Sequence, residues 1–552
     1  MSADTFYVTT PIYYVNDKPH LGHVYTTMVA DVVARYHRLR GDDVFFLTGV
    51  DEHAAKVSDK AAEHGVSPQE WADQNAEQFR GTFEKLEMTN DDFVRTSSEQ
   101  HKTKVTEYFT ALLASGDVYA GEYEGWYDAG QEEYVPENKA KESDYKSPVN
   151  GKPLVRKSEK NYFFRLSAYR DQLLAHFDAH PHFVQPDARR NEIINRIKDA
   201  QDIPISRTGS NGWGIPIPGD EEQTIYVWID ALFNYLTYVD TPERRHYWTS
   251  GGGATHFIAK DILWFHAAIW PALLFALQKC EGYDWVNQPK QVYSHSYWVS
   301  ESGEKMSKSL GNFLDPAAIN NYVEEFGLDA LRYFLATRGP LGTTDSAFSS
   351  DLFIEVYNSD LANKFGNSVS RVTNMVNKYC DGQVPHDNES YRTDELGRDP
   401  ILHNVKPPAR QPETMLERQC RLADSLSAEM WVDTRIGGAA NYLISYIVEY
   451  VDGFIEETSP FKLAKNEENL PEVKAILYNC AEALRIASVL LWPFIPDACE
   501  KFWGRIGCDY AEQMRANGGK GKLDEWVRWG QLQPGTPIEK GEALFPRYQV
   551  AK

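Results

Sequence analysis

Thiol chemistry is the first thing this chain has little of. Six cysteines stand among 552 residues, at 280, 380, 420, 480, 499 and 508, and no two form a CxxC pair. That spacing suits neither a disulfide framework nor a zinc knuckle, so reduced thiols are expected. Long apolar runs are missing too. The longest candidate, residues 262–277, carries His266 and is broken by Pro271, which does not read as a membrane span. No basic region followed by an apolar stretch opens the chain, so no secretory signal is read and a cytoplasmic protein is expected. Positive charge is scarce: 57 Lys and Arg against 80 Asp and Glu leave a net charge of −23. A nucleic-acid partner would have to be met by charge gathered on one face. Arg189, Arg190, Arg196 and Lys198 do cluster, and read as a solvated helix face. Low-complexity segments and internal repeats are also lacking. A chain of 552 residues is too long for one core, so two or three domains are expected.

What is there begins at once. A strand-like run, Phe6 to Thr9, leads into Pro11-Ile12-Tyr13-Tyr14-Val15-Asn16-Asp17-Lys18-Pro19-His20-Leu21-Gly22-His23. A helix pattern follows, with Val24, Met28, Val32 and Tyr36 on one face and Gly41 as its stop. The run from Val44 to Val50 closes a β-α-β unit. His20 and His23 therefore fall where a strand ends and a helix begins. Unpaired N–H groups and the helix dipole favour phosphate there, and two imidazoles can flank it. Gly22 would let a ligand approach the backbone. The competing reading is two polar residues at a helix cap. Asp51 ends the second strand, where residues face the crevice of a parallel sheet. It could hold an ammonium group or cap the next helix.

Far downstream, Glu304-Lys305-Met306-Ser307-Lys308-Ser309-Leu310-Gly311-Asn312 follows a strand-like run, Gln291 to Val299. Paired with the first motif, it resembles the KMSKS loop of class I aminoacyl-tRNA synthetases, and His20-Leu21-Gly22-His23 resembles their HIGH motif. Val227-Trp228-Ile229-Asp230-Ala231 and Lys260-Asp261-Ile262-Leu263-Trp264-Phe265-His266 are similar to the methionyl-tRNA synthetases in particular. The resemblance runs from about Phe6 to Arg547.

The resemblance implies an α/β fold: a Rossmann-like parallel-sheet catalytic domain carrying a connective insertion, then an all-α anticodon-binding helix bundle. The divisions expected are 1–115 and 207–290 for the two catalytic halves, 116–206 for the insertion, 291–350 for the KMSKS and stem-contact region, and 351–552 for the bundle. The resemblance implies ATP at His20, Gly22, His23, Lys260, Asp261, Lys305, Ser307 and Lys308, with His20, His23, Lys305 and Lys308 catalytic and Mg²⁺ bridging the phosphates. It implies L-methionine at Ile12, Tyr14, Asp51, Trp228, Ala231, Leu232, Tyr235, Ile262 and His266, with Arg207 in the surround. It implies the anticodon of tRNA(Met) at Asn367, Arg371 and Phe461.

Departures from the family pattern are visible. Ala54 follows His53 where glycine is usual, Ala259 precedes Lys260 where glycine is usual, and Phe461 replaces a tryptophan. Phenylalanine keeps a stacking ring but loses the indole N–H. The insertion has Ala129-Gly130-Gln131-Glu132-Glu133-Tyr134 where many relatives carry zinc knuckles, so a zinc-free insertion is expected. No further tRNA-binding module follows the bundle, and a monomer is expected. The rivals are another class I synthetase for an apolar amino acid and a non-catalytic tRNA-binding paralogue. An insertion of this size leaves no room for a large editing domain, and a mere binder has no use for both phosphate motifs.

Overall fold

The computed structural model describes residues 4–128, 133–135, 137–147, 150–208, 212–250, 252–300, 303, 314–386, 414–432 and 435–549. Strand β1 (Thr5–Tyr14), helix α1 (Leu21–Arg40) and strand β2 (Asp43–Asp51) form the opening β-α-β unit. α1 ends where Gly41 takes the left-handed φ of 93°, a conformation that costs glycine little. Four more strands complete the sheet: β3 (Asp92–Arg95), β4 (Val184–Gln185), β5 (Thr255–Ala259) and β6 (Gln291–His295). Their spatial order is β3-β2-β1-β5-β6-β4, and every pair is parallel. Chain order reverses between β1 and β5, so the ligand crevice of such a sheet opens at their carboxyl ends.

Side-chain alternation explains why the sheet is covered on both faces. Phe6, Val8, Val44 and Phe46 enter one core, while Tyr7, Phe45 and Leu47 enter the other. The second core is roofed by helices that include α2 (Glu99–Ser115) and α3 (Val227–Thr237). The first core is continuous through α1 into the helical part of the chain. Val24 and Met28 of α1, Leu331 and Leu335 of α4 (Leu328–Arg338) and Leu484 of the bundle share it. A buried charge cluster pins that seam. Asp31 of α1 accepts from Arg35 Nε at 2.7 Å and from the Thr89 N–H at 2.7 Å, with Arg332 of α4 at 3.9 Å.

Between β3 and β5 the chain makes a four-stranded antiparallel sheet from Val118–Asp128, Glu133–Val135, Val155–Phe164 and Ile203–Pro204. Val135, Ala140 and Leu154 form its small core, with Trp126 and Tyr145 packed against it. Residues 129–132 of the expected hairpin lie outside the described residues. β4 belongs to the main sheet, pairing Val184 with Val292, so the span 116–206 also supplies a strand to the catalytic core.

The bundle includes α5 (Asn367–Tyr379), α6 (Glu449–Thr458) and α7 (Leu470–Leu491). From Ala475 to Leu491 every residue of α7 is buried, as expected of a helix packed on all sides.

Candidate functional site

His20 is the N-cap of α1, and its extended backbone (φ −145°, ψ 174°) turns the chain out of the sheet. The Gly22 N–H donates to His20 Nδ1 at 3.0 Å, and the His20 N–H donates to His23 Nδ1 at 3.2 Å. Each bond occupies an Nδ1 lone pair, so each neutral ring carries its proton on Nε2. The rings stack at 3.7 Å between centroids. Burial, with the neighbouring His20 second, holds the His23 imidazole well below its ordinary pKa. The capping geometry thus makes His23 a neutral Nε2–H donor. Gly22 has a steric role more than the open approach expected of it. A Cβ there would lie 2.8 Å from His20 Cε1, so the absent side chain makes room for the ring.

The chain beyond the downstream motif returns to this corner. Lys305, Ser307 and Lys308 lie outside the described residues. The carbonyl of Leu314, just beyond them in the chain, accepts from the Leu21 N–H at 3.0 Å. The strand before them is shorter than expected: β6 ends at His295, and β7 (Trp298–Val299) pairs instead with β8 (Ser346–Ala347).

Asp51 pairs across the sheet with Tyr14, so both stand at the crevice end of their strands. Its carboxyl is 2 % exposed and accepts from the His53 N–H at 3.4 Å. Burial, and then the charges of Asp230 and Glu52, raise its pKa well above the ordinary value. Among the described residues no cation is paired with it.

The expected amino-acid pocket assembles on α3 and the segment after β5. Trp228 is in the first turn of the helix, which starts at Val227. The strand stops at Ile225 because the next residues follow helical periodicity with an apolar face. Trp228 stacks on Phe265 at 4.2 Å and meets Tyr14 edge-on at 6.0 Å. Ile12, Tyr14, Trp228, Ile262 and Phe265 are half-buried, while Ala231, Leu232, Tyr235 and His266 are buried behind them. Ile262 and His266 are not on a regular helix: a 3-10 turn ends at Ile262 and a π-helix covers Phe265–Ile269. His266 Nδ1 still bonds the Ile262 carbonyl at 3.0 Å, and a carbonyl can only accept. Nδ1 therefore carries the proton, and Nε2 accepts from the Tyr235 hydroxyl at 2.8 Å. Burial lowers the His266 pKa to about 4, so the ring is neutral. With both nitrogens engaged, His266 presents no free hydrogen-bonding nitrogen to a ligand. The pocket is then apolar in effect, as a thioether, a weak acceptor, requires.

Lys260 follows β5 at the same edge. Its Nζ contacts Asp345 Oδ1 at 2.6 Å and lies 4.5 Å from the Tyr297 ring centroid. Asp261 beside it is exposed. Arg207 stands on Ser206–Thr208 with its guanidinium 3.8 Å from the Tyr226 ring, at the N-cap of α3. The basic cluster on Asp187–Lys198 is partly spent on structure. Arg196 covers Trp264 at 4.1 Å and Arg190 bonds the Phe177 carbonyl.

Far from the crevice, Asn367 is exposed and Arg371 half-buried on α5. Arg371 pairs with Glu456 and, at 3.6 Å, with Asp452, both on α6. α6 ends at Ser459, and Phe461 follows in the short helix Pro460–Leu463, 37 % exposed. The three expected anticodon residues thus share one end of the bundle.

Sequence reasoning missed Phe265 against Trp228, His256 with its ring centroid 4.3 Å from that of Tyr235, Asp345 on Lys260, and Asp230 with its partners His53 and His101. Two of these were legible. Phe265 and Asp230 stand inside the quoted motifs, and an acid in the run Val227–Thr237 needs a buried partner. Among the described residues no group of three or more His, Cys, Asp or Glu side chains is placed to hold a metal ion.

Comparison with known proteins identifies the family. The family model for tRNA synthetases class I (M) matches residues 6–143 and 140–373. A methionine--tRNA ligase of Streptomyces coelicolor is 39% identical over 560 residues, covering 99% of this chain and 97% of that protein. The methionine--tRNA ligase of Bacillus subtilis is 38% identical over 560 residues, covering 99% of this chain and 78% of that protein. Among solved structures, Mycobacterium tuberculosis methionyl-tRNA synthetase in complex with methionyl-adenylate superposes with a TM-score of 0.84. It is 33% identical, over 99% of this chain and 100% of that one.

Proposed function

The chain belongs to the methionyl-tRNA synthetases of class I, and from that membership we propose how its residues divide the work of methionine--tRNA ligation. The enzyme activates methionine with ATP, giving methionyl-adenylate and pyrophosphate, and passes the methionyl group to tRNA(Met). The observation that carries the residue assignment is one crevice edge. The His20 cap, Asp51 and Lys260 stand at or just past the carboxyl ends of β1, β2 and β5, and Trp228 of α3 meets that edge through Tyr14 at the end of β1 and Phe265 after β5.

Methionine enters as a zwitterion. Asp51 takes the ammonium, which supplies the positive charge that its buried carboxyl lacks. Ile12, Tyr14, Trp228, Ala231, Leu232, Tyr235, Ile262 and His266 enclose the thioether arm, with Arg207 behind the wall. The methionine carboxylate then attacks the α-phosphate of ATP. No general base is needed, because the carboxylate is an anion at pH 7. Catalysis is positioning and charge stabilisation. His20 and His23 donate from Nε2–H to phosphate oxygens as charge moves onto the leaving pyrophosphate. A neutral donor strengthens as that charge grows, which favours the transition state over bound ATP. Gly22 clears the His20 ring, and Lys260 and Asp261 border the nucleotide. Lys305, Ser307 and Lys308 cover the outer phosphates. Mg²⁺ would be held by the nucleotide's own phosphates; among the described residues no group of three or more His, Cys, Asp or Glu side chains is placed to take it. Asn367, Arg371 and Phe461 read the anticodon, the ring stacking a splayed base and the amide and guanidinium reading edges.

The testing experiment is ATP–pyrophosphate exchange with each of the twenty amino acids in turn. Exchange with methionine above all others is expected. Exchange led by leucine, isoleucine, valine or cysteine, or none at all, would overturn the reading.

A further inference from the structure

Asp230 has no part in that division of work, yet it is an almost fully enclosed charge beside the amino-acid pocket. It lies in the first turn of α3 and is 1 % exposed. A carboxylate so placed is costly unless its oxygens are satisfied. Both are satisfied from other elements. His53 Nδ1–H donates to Oδ2 at 2.6 Å, and His101 Nε2–H donates to Oδ1 at 2.7 Å. The carboxylate can only accept, so His101 Nε2 carries a proton, and Nδ1 lies 2.9 Å from the Thr237 hydroxyl. Burial pushes the Asp230 carboxyl up, but the two imidazoles outweigh it and hold the pKa at about 2. The group is an anion throughout the working pH range.

The places these residues occupy give the cluster its meaning. His53 stands two residues past Asp51, on the turn that leaves β2, and its ring meets Trp213 edge-on at 5.3 Å. Asp230 directly precedes Ala231 and Leu232, one turn before Tyr235. His101 lies in the first turn of α2, which packs along α3. One carboxylate therefore bolts the strand end that carries the ammonium anchor to the helix that carries the side-chain wall.

We propose that Asp230, through His53, is a positioning residue for methionine. It sets the span between Asp51 and the wall formed by Trp228, Ala231, Leu232 and Tyr235, and so fixes the length of side chain the site accepts. This rests on the assignment of Asp51 and α3 to the methionine site. Fit alone discriminates weakly, since one methylene in an apolar pocket changes rates by about 10–200-fold. A site that tells homocysteine (one methyl shorter) and ethionine (one methylene longer) from methionine needs that span held rigidly. A shift on the order of 1 Å is enough to cost about a hundredfold in rate.

The test uses the full chain in pyrophosphate exchange with methionine, homocysteine and ethionine, comparing wild type with Asp230→Asn, His53→Ala and His53→Asn. Asparagine at 53 keeps an amide N–H close to where Nδ1–H stood, so it serves as the conservative variant. For Asp230→Asn and His53→Ala we expect the KM for methionine to rise about tenfold. The KM for ATP should stay within twofold, and the preference for methionine over both analogues should fall severalfold. His53→Asn should recover most of that preference. A preference ratio does not depend on the fraction of folded enzyme, so a purely structural bolt would leave it unchanged. Unchanged ratios, or KM values for ATP and methionine rising together, would overturn the proposal. If Asp230→Asn does not fold, the two His53 variants carry the same comparison. Failure of the underlying reading shows separately, as wild-type enzyme inactive with methionine or as Asp51→Asn with an unchanged methionine KM.

Discussion

Replacing Asp51 by asparagine separates what this carboxylate does for the substrate from what it costs the empty protein. In the folded chain it is 2 % exposed, and no cation is paired with it among the described residues. Burial first, then Asp230 and Glu52, raise its pKa well above the ordinary value. Folding therefore favours the protonated form. The penalty is absent below the unfolded value, about pH 4, and accrues as pH rises toward the folded value. Asp51→Asn removes that penalty while keeping size and shape. The variant should melt higher than wild type at pH 7, and the advantage should vanish below about pH 4. Methionine reverses the comparison. Its ammonium on Asp51 makes a buried ion pair, and deleting one partner of such a pair costs about 3–5 kcal/mol. At 1.4 kcal/mol per decade, kcat/KM for methionine in pyrophosphate exchange should fall by roughly two to four decades, with the KM for ATP little changed. Saturating methionine should stabilise wild type by about 2.7 kcal/mol at a hundred times its Kd, and leave the variant unshifted at the same concentration. In wild type that shift should shrink as pH falls through the raised pKa, because the ammonium then meets a neutral acid. A variant with a methionine KM within threefold of wild type would refute the ammonium role. A variant less stable than wild type at pH 7 would refute the electrostatic reasoning.

Three further perturbations address the other parts of the site. Gly22→Ala places a Cβ 2.8 Å from His20 Cε1, so the ring must move. The KM for ATP should rise and adenylate formation slow, while methionine-induced stabilisation stays; unchanged rates would show that His20 does not act from this position. Lys305→Ala and Lys308→Ala should each slow adenylate formation by about 3–4 kcal/mol of barrier, the loss of one charge-stabilising donor, with methionine binding barely altered. Wild-type single-turnover rates in both variants would make that loop structural. Phe461→Ala should weaken tRNA charging about ten- to a hundredfold, through the ~1–3 kcal/mol of one stacked base, with pyrophosphate exchange intact. Because Phe461 is 37 % exposed, its melting temperature should fall far less than the ~3–5 kcal/mol loss of a core aromatic implies. A charging defect that tracks the unfolded fraction would remove Phe461 from the anticodon surface.

Local signals carried a long way in this chain. The apolar runs at Phe6–Thr9 and Val44–Val50 are enough to place two strands, and the spacing of Val24, Met28, Val32 and Tyr36 with Gly41 beyond them is enough to place α1, whereas which side chains enter which core is decided by folding. The crevice position of His20 and Asp51 follows from strand ends alone, because covalent neighbours and short-range periodicity decide which residues leave a strand together. Longer-range facts were out of reach. Nothing in a linear chain announces that Val184 pairs with Val292, or that Lys260 meets Asp345, since each contact depends on how distant segments pack. The same holds for protonation. His20 and His23 are legible as candidates for a phosphate site at a helix start, but their Nε2–H tautomers depend on which backbone N–H groups reach Nδ1. His266 reads as a candidate ligand residue, whereas folding commits both its nitrogens to Ile262 and Tyr235. Asp230 is the sharpest case. As a letter it is one acid in an apolar helix. Burial strips its water, two histidines from other elements replace that water, and only the packed molecule brings those three groups within 2.7 Å.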